Sequence, residues 1–136
     1  MMQSTNPELR YRKLWLIVGY LLIILVIFLS LMSKPVAIDT DLPYQDKLFH
    51  AIAYFSTTFW FLQIYHIRHH VVQWVFFFLC LGLLLEYLQG FDSNRHSDIG
   101  DMVANALGVA AALVLSRTRL RFMLMGFERY FVRNAG

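Results

Sequence analysis

Hydrophobic positions along this chain neither alternate nor form narrow stripes. They gather into four nearly unbroken blocks at residues 14–33, 48–65, 71–90 and 99–116. An α-helix rises about 1.5 Å per residue, so each block is close to the roughly 20 residues that cross a hydrocarbon core of about 30 Å. The pattern predicts an all-α, polytopic membrane protein built as a four-transmembrane-helix bundle. Residues 1–13 then form an N-terminal tail, 14–116 the membrane domain and 117–136 a basic C-terminal tail. In that tail Leu120, Leu124, Phe127 and Phe131 share a helical stripe, with Arg121 and Arg129 elsewhere. Such a segment reads as a helix lying in the membrane interface; the plainer alternative is a mobile basic tail.

Composition strengthens this reading. Of 136 residues, 58% are hydrophobic and 15% charged, where a soluble domain carries roughly 25% charged residues; mean hydropathy is +0.52. No separate soluble catalytic domain fits into the remaining tails and loops. The first block follows Arg10, Arg12 and Lys13 and is succeeded by Ser33-Lys34-Pro35, not by a small-x-small cleavage site. It therefore reads as a retained anchor rather than a signal peptide. Cys80 is the one cysteine, so no intrachain disulfide forms.

Charge sets the orientation. Arg10, Arg12, Lys13, Arg68, Arg117, Arg119, Arg121, Arg129 and Arg133 fall on one side of the four blocks, and only Lys34, Lys47 and Arg95 on the other. The positive-inside rule then places both termini in the cytoplasm. Asp39, Asp41, Asp46, Asp92, Asp98 and Asp101 lie on or beside the opposite, outward side. The net charge of +3 is accounted for by cytoplasmic anchoring, with no nucleic-acid partner.

Polar residues inside the blocks carry the candidate chemistry. Asp46, His50 and Tyr54 are spaced i, i+4, i+8 on the second helix, beside Lys47. Glu86 and Gln89 are three apart near the end of the third, and Asp98, Asp101, Asn105 and Gly108 share a face of the fourth. With alternating topology all three faces lie at the outward end. The helical rise puts Glu86 roughly 6 Å and Asn105 roughly 10 Å below the helix mouths. The expected site is a shallow outward pocket with His50, Glu86 and Asn105 at its floor and Arg95, Asp98 and Asp101 at its rim.

Each residue also has a plainer role. Asp98 and Asp101 suit an N-cap and a first-turn acid, Arg95 a neutralising cation, Asn105 an interhelical bridge and Tyr54 a packing aromatic. Glu86 is harder to explain so, because an ionisable group at membrane depth is costly unless paired, neutralised or hydrated. Ala104, Gly108 and Ala112 repeat the small-xxx-small spacing that permits close helix approach. His66, His69 and His70 lie at the other end and read as a solvated loop rather than metal ligands.

Taken together, Asp46-Lys47-Leu48-Phe49-His50, Tyr54, Glu86-Tyr87-Leu88-Gln89, Arg95, Asp98, Asp101, Asn105 and Gly108 resemble the VanZ-like family over about residues 14–116. The resemblance implies a small multi-pass protein of the bacterial cytoplasmic (inner) membrane. It also implies a link with the cell envelope and, as for some family members, with teicoplanin resistance, a form of antibiotic resistance; it implies no reaction. Three readings follow. In the leading one the pocket binds an envelope lipid or glycan headgroup, with Asp46, Lys47, His50, Tyr54, Glu86, Gln89, Arg95, Asp98, Asp101 and Asn105 as ligand-binding residues and Arg95 as a phosphate contact. In the second, an enzyme acts on a lipid-linked substrate through His50 or Glu86 as acid or base, with Asp98 and Asp101 orienting it or holding a divalent ion. In the third, the cluster only fixes helix register. The leading reading assigns no metal and no cofactor, names membrane lipids as partners, and leaves oligomeric state open.

Overall fold

A computed structural model describes residues 9–32 and 43–135. Lys34, Asp39, Asp41 and the first eight residues of the N-terminal tail lie outside them. The chain is all-helical, with no strand among the described residues: α1 Arg12–Leu31, α2 Gln45–Ile64, α3 Arg68–Gln89, α4 Ile99–Leu115 and α5 Met123–Asn134, with a 3₁₀ turn Arg119–Phe122 before α5. The four long helices coincide with the four apolar blocks. The tail stripe is broken, because the 3₁₀ turn takes up Leu120 before α5 begins. Leu124 is buried, whereas Leu120, Phe127 and Phe131 are exposed.

Two helices, α1 and α3, are long and apolar enough to cross a membrane; a third span is counted if α4 and the segment Arg119–Asn134, which meet at 84°, form one broken span. The reason α2 does not stand out by hydropathy lies in its position. It packs on α1, α3 and most extensively on α4, and buries Tyr54, Thr57, Thr58, Phe59, Phe61, Leu62, Gln63 and Ile64. A helix sheathed by its neighbours presents little side chain to lipid, and its polar groups can be satisfied inside the bundle. By contrast α1 buries only Gly19, Ile23 and Val26. It leaves Ile17, Leu21, Ile24 and Phe28 about three-fifths exposed, an apolar face for a lipid environment.

The close approach of α2 and α4 depends on Gly108. A Cβ there would stand 2.3 Å from the carbonyl oxygen of Ala51 and 2.9 Å from the amide nitrogen of Phe55. At the basic end, aromatic rings fill the space between α1, α2 and α3: Phe61 stacks on Trp74 with centroids 3.9 Å apart, and Trp15 meets Trp60 edge-on at 5.8 Å. There α5 is fastened to the start of α1 by Glu128. Its carboxylate, 4% exposed, accepts from the Arg10 and Tyr11 amides, each at 2.8 Å, and from the Trp15 indole. Unpaired amides at a helix start are satisfied by an acid from the far end of the chain.

Candidate functional site

The N-terminus of α2, the C-terminus of α3 and the N-terminus of α4 converge at one end of the bundle, and their polar side chains meet. Asp98 is the N-cap of α4: its backbone is extended and its carboxylate accepts from the Gly100 amide at 2.7 Å. The same carboxylate accepts from Lys47 Nζ at 2.6 Å, and Asp101 accepts from that ammonium at 3.1 Å and Asp46 at 3.3 Å. Lys47 is thus the resident cation of a three-carboxylate cluster. It holds the Asp98 carboxyl below the usual carboxylate range, aided by the Gly100 amide.

One turn deeper, His50 links the outer cluster to the interior. Its Nδ1 lies 3.0 Å from Asn105 Oδ1 and its Nε2 lies 3.5 Å from Asp101 Oδ2. Glu86, 1% exposed, accepts the Asp98 backbone amide through Oε2 at 3.1 Å. Its other oxygen, Oε1, is buried without a hydrogen-bond partner, as is the hydroxyl of Tyr54. Buried polar atoms are nearly always paired, so two orphaned oxygens beside one cluster mark it as incomplete by itself.

Of the ten residues expected at the site, eight therefore belong to this constellation: Asp46, Lys47, His50, Tyr54, Glu86, Asp98, Asp101 and Asn105. Gln89 and Arg95 lie at the same end but face α1. Gln89 Nε2 donates to the Ser30 carbonyl at 2.7 Å, and Arg95 Nη1 donates to the carbonyls of Ser30 at 2.9 Å and Met32 at 3.1 Å. Carbonyls at a helix C-terminus lack intrahelical donors and carry the negative end of the helix dipole. Arg95 thereby closes α1 onto the site, a use with no sequence signature because its acceptors are backbone atoms.

Glu128 is absent from the sequence reading, although a lone acid in a tail with five arginines was a usable signal. A second concavity was also not anticipated: a cavity of about 460 Å³ at the basic end, lined in part by Tyr65, His66, Arg68, Val72, Arg117 and Arg121. Comparison of the chain with protein-family models, curated proteins and solved structures returns no match. Function is accordingly argued from the geometry and the sequence.

Proposed function

We propose that this chain is a VanZ-like protein of the bacterial cytoplasmic membrane that spans the bilayer four times, with both termini in the cytoplasm. Its polar site then faces outward and binds the headgroup of an envelope lipid or glycan. A role in teicoplanin sensitivity belongs to the same proposal through the family resemblance. The observation that carries the headgroup reading is the unpartnered buried oxygen Glu86 Oε1, in a carboxylate grouped with His50 and Asp101; the Tyr54 hydroxyl is buried without a partner as well. An open carboxylate acceptor and an open tyrosine hydroxyl, which can donate as well as accept, suit a hydroxyl-bearing ligand. Arg95 supports the site from behind, with Nη1 directed to α1.

Native mass spectrometry of the detergent-solubilised protein tests this directly. The parent is expected to carry an envelope lipid that Glu86→Gln, at equal folded yield, loses. Arg95→Ala is expected to lower folded yield by releasing the end of α1. An empty parent, or a Glu86→Gln protein that retains the same lipid, refutes the reading. For topology, a reporter fused after Gly136 that is active only outside the cytoplasm overturns the outward site.

One observation favours an enzyme as the second reading. His50 is fixed on one ring nitrogen by Asn105 and faces a carboxylate with the other, the arrangement of an oriented acid-base imidazole. A folded His50→Gln protein that accumulates bound lipid in an altered proportion to the parent distinguishes turnover from storage.

A further inference from the structure

Two sets of potential ligand atoms share Asp101: an outer set of Asp46, Asp98 and Asp101, and an inner set of His50, Glu86 and Asp101, each with its atoms within 4.8 Å of one another. The outer set already has a cation, since Lys47 Nζ contacts all three carboxylates. The inner set has none. Among the described residues, the carboxyl groups of the cluster are Asp46, Glu86, Asp98 and Asp101; Lys47 is spent on the outer set, and Arg95 Nη1 is held by α1.

The hydrogen bonds of the inner set define its donor character. In the tautomer in which His50 Nδ1 donates to Asn105 Oδ1 at 3.0 Å, the ring's Nε2 presents a lone pair toward Asp101. Nε2 stands 3.5 Å from Asp101 Oδ2, a spacing at which one ion can be shared between them. Glu86 spends Oε2 on the Asp98 amide, leaving the buried, unpartnered Oε1. An imidazole nitrogen held by an outer amide, with two carboxylates whose ligand atoms lie within 4.8 Å of it and of one another, is a first-row metal donor set, and the Asn105 contact is the kind that orients a ligating histidine. Ligands at about 2.0–2.2 Å from an ion stand roughly 3.0–3.5 Å apart, the spacing of His50 Nε2 and Asp101 Oδ2.

We infer that His50, Glu86 and Asp101 form a binding site for one divalent first-row metal ion of the Zn²⁺ or Mn²⁺ class, departing from the leading sequence reading, which assigned no metal, and from its enzyme alternative, which set a divalent ion on Asp98 and Asp101. The mixed nitrogen and oxygen set favours these ions over Mg²⁺ and Ca²⁺, which prefer oxygen alone. The site shares Glu86 with the proposed headgroup pocket and rests in part on that reading, but metal is titrated into lipid-stripped protein and lost in His50→Ala, so failure of one reading is distinguishable from failure of the other.

The test uses the full chain in detergent, stripped of lipid and, with chelator, of metal, passed through gel filtration and titrated with Zn²⁺ or Mn²⁺ under calorimetric and elemental-analysis readout. One ion per chain is expected for the parent. His50→Ala, Asp101→Asn and Glu86→Gln are each expected to bind at least ~10-fold more weakly, and Asn105→Ala ~10- to 100-fold more weakly, as loss of an outer-shell partner does. Lys47→Met and Asp46→Asn should keep the ion, which separates the inner site from the outer one. His50→Ala, which replaces a partly exposed side chain, carries the test if Glu86→Gln does not fold. A folded parent that binds no ion, or a His50→Ala protein with parental affinity, overturns the assignment.

Discussion

Replacing Gly108 by alanine tests whether the site depends on the contact between α2 and α4. The added Cβ would meet the Ala51 carbonyl oxygen at 2.3 Å and the Phe55 nitrogen at 2.9 Å. Carbon and oxygen settle no closer than about 3.3 Å, so α4 must withdraw by roughly 1 Å against backbone that has no rotamer to give. Overpacking of this kind costs about 1–3 kcal/mol, while alanine in a helix gains up to ~1 kcal/mol over glycine. Gly126, in α5, isolates the second effect, since a Cβ there meets nothing within 4 Å. In reversible unfolding in mixed micelles, Gly126→Ala should be stabilised by up to ~1 kcal/mol and Gly108→Ala destabilised by about 1–2 kcal/mol. The displacement also falls on the site. Ala51 follows His50, and Gly108 lies one turn beyond Asn105, so their 3.0 Å contact should stretch past the hydrogen-bond limit of about 3.5 Å. A Gly108→Ala protein as stable as Gly126→Ala would refute the packing of α2 on α4.

Other outcomes follow from the same contacts. The Asp98 carboxyl titrates below its ordinary value of 3.8 in the folded protein, so its contribution to stability is present above that value and is lost as pH falls through the lowered one. Lys47→Met should flatten this acid limb in pH-dependent unfolding in detergent, and an unchanged limb would contradict the lysine-centred cluster. Glu128→Ala strips the acceptor from two amides and an indole and should cost about 1–3 kcal/mol. It should also expose the bonds after Arg129 and Arg133 to trypsin; parental resistance would show that α5 is held by other means.

The number and positions of the long helices were legible in the sequence because each apolar block approaches a bilayer crossing in length, and a block of that kind has few alternatives to a helix. The juxtaposition of the α2, α3 and α4 polar faces was legible too, since alternating helix direction brings their ends together whichever way the chain is inserted. Roles within the site were less accessible. Lys47 and Arg95 are both cations at the same end, yet one gathers carboxylates and the other caps α1, a difference fixed by backbone geometry that composition does not encode. The break at Arg119–Phe122 was missed for a related reason. The stripe through Leu120 and Phe131 fits one helix, but Thr118 accepts from the Leu120 amide and starts a tighter turn.

The clasp of Glu128 on Arg10, Tyr11 and Trp15 joins residues 113–118 positions apart, which gives assembly an order. Contacts so distant in sequence form late. During synthesis the first turn of α1 waits for an acceptor made more than a hundred residues later, so a nascent chain cut short before Glu128 leaves that helix start open. The start of α1 and the docking of α5 are therefore stabilised jointly, and a change that opens one opens the other.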